Sequence, residues 1–142
     1  MTELHPRLAA DCIRLGRFDL CHVLLMNDSS YPWFILVPDR DEIREIYELS
    51  AEDRRQLLDE SCRLSGFLMD SFKGDKLNVA AIGNLVPQLH LHHVVRFQSD
   101  RAWPMPVWGR FPAVAYSRAA VADIRARLAS AALTSFNAAV NN

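Results

Sequence analysis

Short apolar runs separated by turns make up the first quarter of this chain. Residues 4–14 have the spacing of a short amphipathic helix or turn that ends near Gly16. An apolar run at 18–26 and a second one at 33–37 each have the length of a strand. Because the cluster of Asn, Asp and Ser at 27–30 favours a turn, the two runs predict a hairpin.

Two longer segments have helical patterns. Ser50 precedes Asp53 at the spacing of a helix cap, and apolar residues then recur with helical period up to Gly74, which is predicted to end the helix. Ser117 is predicted to cap a last helix that continues to about Ala139.

Two further strands are predicted between these helices. Residues 77–82 and 89–97 have strand patterns, and the Gly83-Asn84 turn separates them. Residues 99–113 hold three prolines and two tryptophans, which favours an ordered loop over a helix. The order of elements predicts an α+β domain with a mainly antiparallel sheet.

Composition limits the function classes. The chain has 142 residues, of which 50% are hydrophobic and 23% charged, so we expect a single globular domain over 1–142. The net charge of −1 argues against a partner that is an extended nucleic acid. Cys12, Cys21 and Cys62 form no CxxC pair, so we expect neither a disulfide framework nor a cysteine zinc site.

Targeting signals are not evident in the sequence. The first residues lack a basic stretch followed by an apolar one, and no apolar run reaches the roughly 18 residues that a membrane span needs. We therefore expect a cytoplasmic protein without a membrane partner.

A cluster of histidines carries the candidate chemistry. Because side chains alternate along a strand, Gln88, His90 and His92 share one face, while Leu91 and His93 belong to the opposite, mainly aliphatic face. The aliphatic face should pack on the helices. A rigid strand that holds two imidazoles side by side suits a nucleophile with an orienting partner, or a pair of metal ligands.

The H-x-H pattern alone leaves several interpretations open. The histidines could simply face solvent, or bind a metal with His22 as a third ligand. Asn78 on the preceding strand and the Gly83-Asn84 turn favour a phosphate site, because such a turn presents backbone N–H groups. Two tryptophans of the 99–113 loop, Trp103 and Trp108, could cover this site or anchor the loop.

The segment NVAAIGNLVPQLHLHHVV at 78–95 resembles the signature of the histidine triad (HIT) family. The segment PWFILVPDR resembles the strand of that family that leads to its first helix, and the likeness covers about 18–97. The segment AWPMPVWG, within the C-terminal loop and helix region 99–142, resembles a branch of small bacterial members. This resemblance implies a HIT-like fold, with about five strands and two main helices.

The resemblance also implies roles for single residues. His90 matches the histidine that attacks the α-phosphate of a nucleotide, and His92 matches the one that hydrogen-bonds the phosphate. Asn78 matches a residue that contacts ribose or phosphate, and Gly83-Asn84 matches the turn that faces the phosphate or leaving group. Gln88 replaces the first histidine of the triad at the edge of the phosphate site.

Further departures from the family pattern concern proton transfer. Gln88 can hydrogen-bond but cannot move a proton; Asp41 replaces a further histidine, and Leu85 replaces a serine. The leading hypothesis is a hydrolase or transferase that acts on dinucleoside polyphosphates or nucleoside phosphoramidates through a nucleotidyl-histidine. The alternative is a nucleotide-binding or sensing module with little catalysis.

The resemblance implies no metal and no cofactor for this reaction. It implies a purine nucleotide as the partner molecule. It also implies a homodimer, to which the apolar helix at 51–72 could contribute part of the interface.

Overall fold

An antiparallel sheet with the strand order β4-β5-β3-β2-β1-β6 organises the computed structural model, which describes residues 2–140. The strands in chain order are β1 Cys12–Arg17, β2 Cys21–Met26, β3 Trp33–Pro38, β4 Lys76–Ala80, β5 Leu91–Arg96 and β6 Asn137–Ala138. Every neighbouring pair is antiparallel, as the sequence predicts for most of the sheet.

Helices cover the sheet on both faces. The α-helices are α1 Pro6–Asp11, α2 Ala51–Phe72 and α3 Arg118–Ala131, and a 3-10 helix spans Ile46–Glu48. Side chains of α2 and α3 pack with Val23, Phe34 and Val95 on one face. Leu8 of α1 and Val107 of the long loop pack on the other face.

Several predicted elements are confirmed, as is the α+β class. Strands β2 and β3 form the predicted hairpin, and Ser50 caps α2, because its side chain accepts a hydrogen bond from the backbone N–H of Asp53. Residues 99–113 form turns without a helix. The last residue before Gly74, Lys73, takes the left-handed conformation that ends α2, so the predicted role of the glycine is wrong.

Two segments differ from the prediction. Of residues 4–14 only Pro6–Asp11 are helical, because the residues from Cys12 onwards pair with β2 and bury Leu15 in the core. The last helix ends near Ala132, which has a positive φ, and not at about Ala139. Beyond it, Phe136 packs edge-on against Phe18, and the chain pairs with β1 as the two-residue strand β6.

The strands around the histidine cluster are shorter than predicted. Strand β4 ends at Ala80 and β5 begins at Leu91, so a turn-rich segment at 81–90 connects them and includes His90. No helix within residues 2–140 is long and apolar enough to cross a membrane.

Candidate active site

His90 and His92 lie side by side where β5 begins. Their ring centroids are 4.9 Å apart in an edge-on arrangement, and the residues are 6% and 4% exposed. His93 lies on the opposite face, where its Nε2 is 2.7 Å from the Ser61 hydroxyl on α2. This arrangement confirms that the aliphatic face of the predicted strand packs on a helix.

The backbone fixes the proton on His90. Its Nδ1 is 2.7 Å from the carbonyl oxygen of Gln88. Because a carbonyl oxygen only accepts hydrogen bonds, Nδ1 carries the proton. In the neutral ring, Nε2 therefore presents an unshared electron pair, which a nucleophile requires.

Trp33 fixes the opposite tautomer on His92. The indole N–H of Trp33 donates to Nδ1 of His92 at 2.9 Å, and an indole nitrogen cannot accept. The proton of the neutral His92 ring therefore lies on Nε2. Burial, together with His90 and His93 nearby, lowers the pKa of His92 to about 3, so the ring is a neutral donor near pH 7.

The Gly83-Asn84 turn lies against the nucleophile candidate. Gly83 has a φ of +45°, and a Cβ at this position would lie 2.5 Å from Cε1 of His90. Only glycine therefore allows both this turn and this close approach. The exposed Asn84 follows it, and both residues line the two cavities that meet at His90.

These two cavities differ in chemistry. One, of about 350 Å³, is mainly apolar, with Leu8, Met26, Val86 and Trp108 around His92. The other, of about 310 Å³, is mainly polar, and Arg44 is among the residues that line it. A reacting group at His90 can therefore have an apolar part on one side of the turn and a polar part on the other.

Gln88 contacts the N-terminal segment. Its side-chain oxygen accepts from the backbone N–H of His5 at 2.8 Å, and its amide donates to the carbonyl of Glu3 at 3.0 Å. These two partners fix the orientation of the carboxamide. Gln88 also lines the polar cavity, and its predicted contact with phosphate stays a prediction.

Asn78 lies in β4 beside a buried arginine. Its Oδ1 accepts from Arg96 at 2.9 Å, and Arg96 also forms a two-point ion pair with Asp100 at 2.9 and 3.1 Å. Arg96 donates to the carbonyl of Met105 as well, which ties the long loop to the sheet. Asn78 is not among the described residues that line the two cavities at His90, so its contact with a nucleotide stays a prediction.

The long loop closes one side of the apolar cavity. The rings of Trp108 and His92 are 5.4 Å apart, and Trp108 also packs edge-on against Trp33 at 5.9 Å. Trp103 instead lies 5.6 Å from the guanidinium of Arg96. The two predicted roles, covering the site and anchoring the loop, thus fall to different residues: Trp108 borders the site and Trp103 anchors the loop.

His22 belongs to a separate cluster. Its Nδ1 is 3.1 Å from the guanidinium of Arg14, and its Nε2 is 3.8 Å from Asp39. Within residues 2–140, no three His, Cys, Asp or Glu side chains are placed to hold a metal ion together. The structure therefore does not bring His22 to the histidine pair as a third ligand.

Trp33 and Arg44 also border this site, although no sequence motif distinguishes them. Strand β3 lies next to β5, and Ile35 pairs with His92, so the register brings Trp33 to His92. The apolar run at 33–37 gives no sign that one of its aromatic rings donates to the site. For Arg44, no local pattern distinguishes it from the other charged residues around it.

Comparisons with known proteins agree with this geometry. The HIT domain family matches residues 7–99. A histidine triad protein from Marinobacter aquaeolei has 58% identity and a TM-score of 0.88, covering 90% of this chain and 93% of its own. One from Bradyrhizobium japonicum has 43% identity and a TM-score of 0.88, covering 90% and 96%. One from Sinorhizobium meliloti has 38% identity and a TM-score of 0.88, covering 90% and 95%.

The antiparallel α+β fold and its paired histidines define a class of proteins that generally bind nucleotides and act as hydrolases or transferases. The chain belongs to the HIT domain family, and its solved neighbours are histidine triad proteins from bacteria. No curated protein matches the chain.

Proposed function

We propose that this protein transfers the nucleotidyl group of a purine nucleotide substrate to water or another acceptor through His90. The opposite tautomers of the two histidines carry this proposal. His90 presents a lone pair on Nε2 and His92 presents an N–H on Nε2, which suits attack on phosphorus with a donor to the phosphate oxygen.

The first step would form a bond between Nε2 of His90 and the α-phosphorus. The P–O or P–N bond to the leaving group breaks, and the leaving group takes the electron pair of that bond; an amine leaving group also takes up one proton from solvent water. Neutral His92 would donate to a non-bridging oxygen as negative charge develops there, and Asn84 with the turn amides would add further donors.

The second step would return His90 to its starting state. Water attacks the phosphorus, the N–P bond breaks, and its electron pair returns to Nε2. The water loses a proton to solvent, and a nucleoside monophosphate is released. None of these steps needs a group outside the chain, the substrate and water.

Trapping the intermediate tests this proposal. Acid quench of the protein during turnover of an adenylated substrate should be avoided, because a phosphorus–nitrogen bond to histidine is labile in acid. A base quench followed by peptide mass spectrometry should find the adenylyl group on the peptide with His90. His90→Ala should lose both the adduct and turnover, while His92→Ala should lose about 10²–10³-fold in kcat.

An exposed residue outside the site serves as the control. Arg118 is exposed at the start of α3, so Arg118→Ala should leave the adduct and kcat unchanged. An adduct on another residue, or full turnover by His90→Ala, would overturn the proposal.

One observation favours the binding module as a second function. Gln88 contributes no titratable proton, and both the oxygen and the nitrogen of its carboxamide are hydrogen-bonded to the backbone of the N-terminal segment. If the protein only senses nucleotide, calorimetric titration should show binding of a purine nucleoside monophosphate without any adduct at His90. No binding of any common monophosphate at millimolar concentration would contradict both functions.

A further inference from the structure

The leaving group poses a specific chemical problem in this site. An amine that leaves phosphorus needs a proton, whereas a polyphosphate leaves as an anion that charge contacts can stabilise. Gln88 holds no proton to give, and the neutral His92 ring is a hydrogen-bond donor rather than an acid near pH 7. The described side chains beside His90 therefore suit a leaving group that departs as an anion and is stabilised by a positive charge, rather than one that must be protonated.

Arg44 supplies a positive charge in the polar cavity beside His90. It lines the polar cavity of about 310 Å³ together with His90 and Asn84. Within the described chain, its guanidinium has no ion pair and no hydrogen bond. By contrast, Arg40 pairs with Asp53 at 2.8 Å and Arg17 pairs with Asp39 at 3.0 Å.

Two acidic residues that follow Arg44 in the chain, Glu45 and Glu48, are engaged with the local backbone. The carboxylate of Glu48 accepts from the backbone N–H groups of Arg44 and Glu45 at 3.0 and 2.8 Å. The side chain of Glu45 accepts in turn from the backbone of the short 3-10 helix, which completes a capping box. Both carboxylates thus stabilise the local backbone and leave the guanidinium of Arg44 open to an anion.

A second cavity, of about 480 Å³, adjoins the polar cavity and shares Arg44, Pro87 and Gln88 with it. Glu3, Asp41 and Glu42 also line this second cavity, so its negative charge disfavours phosphates. We therefore expect the leaving-group phosphates to lie in the polar cavity with His90 and Arg44, while the apolar cavity with Trp108 lies on the other side of the turn.

We propose that Arg44 binds the leaving-group phosphates, and that the protein acts on nucleotidyl polyphosphates in preference to nucleoside phosphoramidates. This inference rests on the proposed attack by His90. As the bond to the α-phosphorus breaks, negative charge grows on the bridging oxygen of the polyphosphate, and Arg44 stabilises the anion that departs. Planar guanidinium groups are well suited to this contact, because they donate two parallel hydrogen bonds to phosphate oxygens.

Two substrates with the same adenylyl group test the inference. Diadenosine tetraphosphate releases a polyphosphate anion, whereas adenosine 5′-phosphoramidate releases ammonia, and both give the same adenylyl-His90. Arg44→Ala should lower kcat/KM for the tetraphosphate by about tenfold at low salt, as expected for one exposed charged contact. Its kcat/KM for the phosphoramidate should change less than twofold.

Control variants separate a specific contact from loss of charge. Arg44→Lys should recover part of the loss, since it keeps the charge but not the planar pair of donors. Arg118→Ala removes one exposed positive charge elsewhere and should leave the ratio of the two substrates unchanged. An equal loss on both substrates, or no loss with Arg44→Ala, would overturn the inference.

Binding of inorganic tripolyphosphate gives a test that does not depend on turnover. In calorimetric titrations at low salt, Arg44→Ala should bind tripolyphosphate about tenfold more weakly than the wild type and Arg118→Ala. Equal binding by all three would refute the role of Arg44. Absence of an adenylyl adduct with both substrates would instead refute the proposed function, so the two failures are distinguishable.

Discussion

This protein should be less stable in mild acid, because its folded state buries histidines in their neutral form. His93 is fully buried between β5 and α2, and desolvation by burial lowers its pKa to about 4, despite hydrogen bonds with backbone groups of Leu91 and Phe34 that raise it. Burial lowers the pKa of His92 to about 3, with further contributions from the neighbouring histidines. In the unfolded chain both would titrate near 6.5.

The sign and size of the effect follow from proton linkage. Between about pH 6.5 and pH 4 the unfolded chain binds more protons than the folded chain, so the free energy of unfolding falls as the pH falls. Each of the two histidines should cost about 2 kcal/mol between pH 7.5 and pH 5. Together they remove about 4 kcal/mol, and His22, whose pKa is lowered by burial and by Arg14, adds to the same loss.

Urea unfolding at the two pH values measures this loss. His93→Gln keeps a side chain that can hydrogen-bond but cannot titrate, so its dependence on pH should be about 2 kcal/mol smaller than that of the wild type. Ser61→Ala serves as the control. It removes the hydroxyl 2.7 Å from His93, so we expect about 1 kcal/mol less stability at both pH values with the same pH dependence.

Two results would refute this reasoning. One is a wild-type free energy of unfolding that is equal at pH 7.5 and pH 5. The other is a His93→Gln variant that keeps the full pH dependence, since that would mean that His93 is not the group that takes up the proton.

Three further predictions concern the site and the sheet edge. Trp33→Phe removes the N–H that fixes the tautomer of His92, so kcat should fall about 10–100-fold in a turnover assay, with the circular dichroism spectrum unchanged. Gly83→Ala should displace the ring of His90 and lower kcat by about 10²-fold, while an unchanged kcat would contradict the close approach seen at this turn. Strand β4 forms one edge of the sheet with Val79 exposed. The homodimer that the family resemblance implies stays a prediction: sedimentation at micromolar concentration should give twice the mass of one chain, and the mass of one chain would refute it.

The local pattern of the sequence determined part of the fold and of the site. Alternation along β5 separated His92 from His93, because neighbouring side chains of a strand point to opposite faces. The helix α2 was predictable from Ser50 onwards, since its cap and its apolar period are local properties. The motif at 78–95 also indicated the family, which the match over residues 7–99 shows.

The tertiary structure decided the features that depend on residues far apart in the chain. Strand β1 forms because it pairs with β2 and buries Leu15 in the core, and no local pattern of the sequence contains either interaction. Gln88 contacts backbone groups 83 and 85 residues away in sequence. Arg96 is buried and paired with Asp100 under the long loop, which the sequence around it does not indicate.

The chemistry of the histidine pair depends on both levels. The sequence determined that His92 and His93 point to opposite faces, because that follows from the period of a strand. His90 precedes β5, in the segment at 81–90, and only the fold brings its ring to 4.9 Å from that of His92. Only the folded chain decided which nitrogen of each ring carries the proton, because that depends on a carbonyl of the turn for His90 and on Trp33, 59 residues away, for His92. A hydrogen bond between distant segments requires the register of the whole sheet, and no local pattern encodes that register.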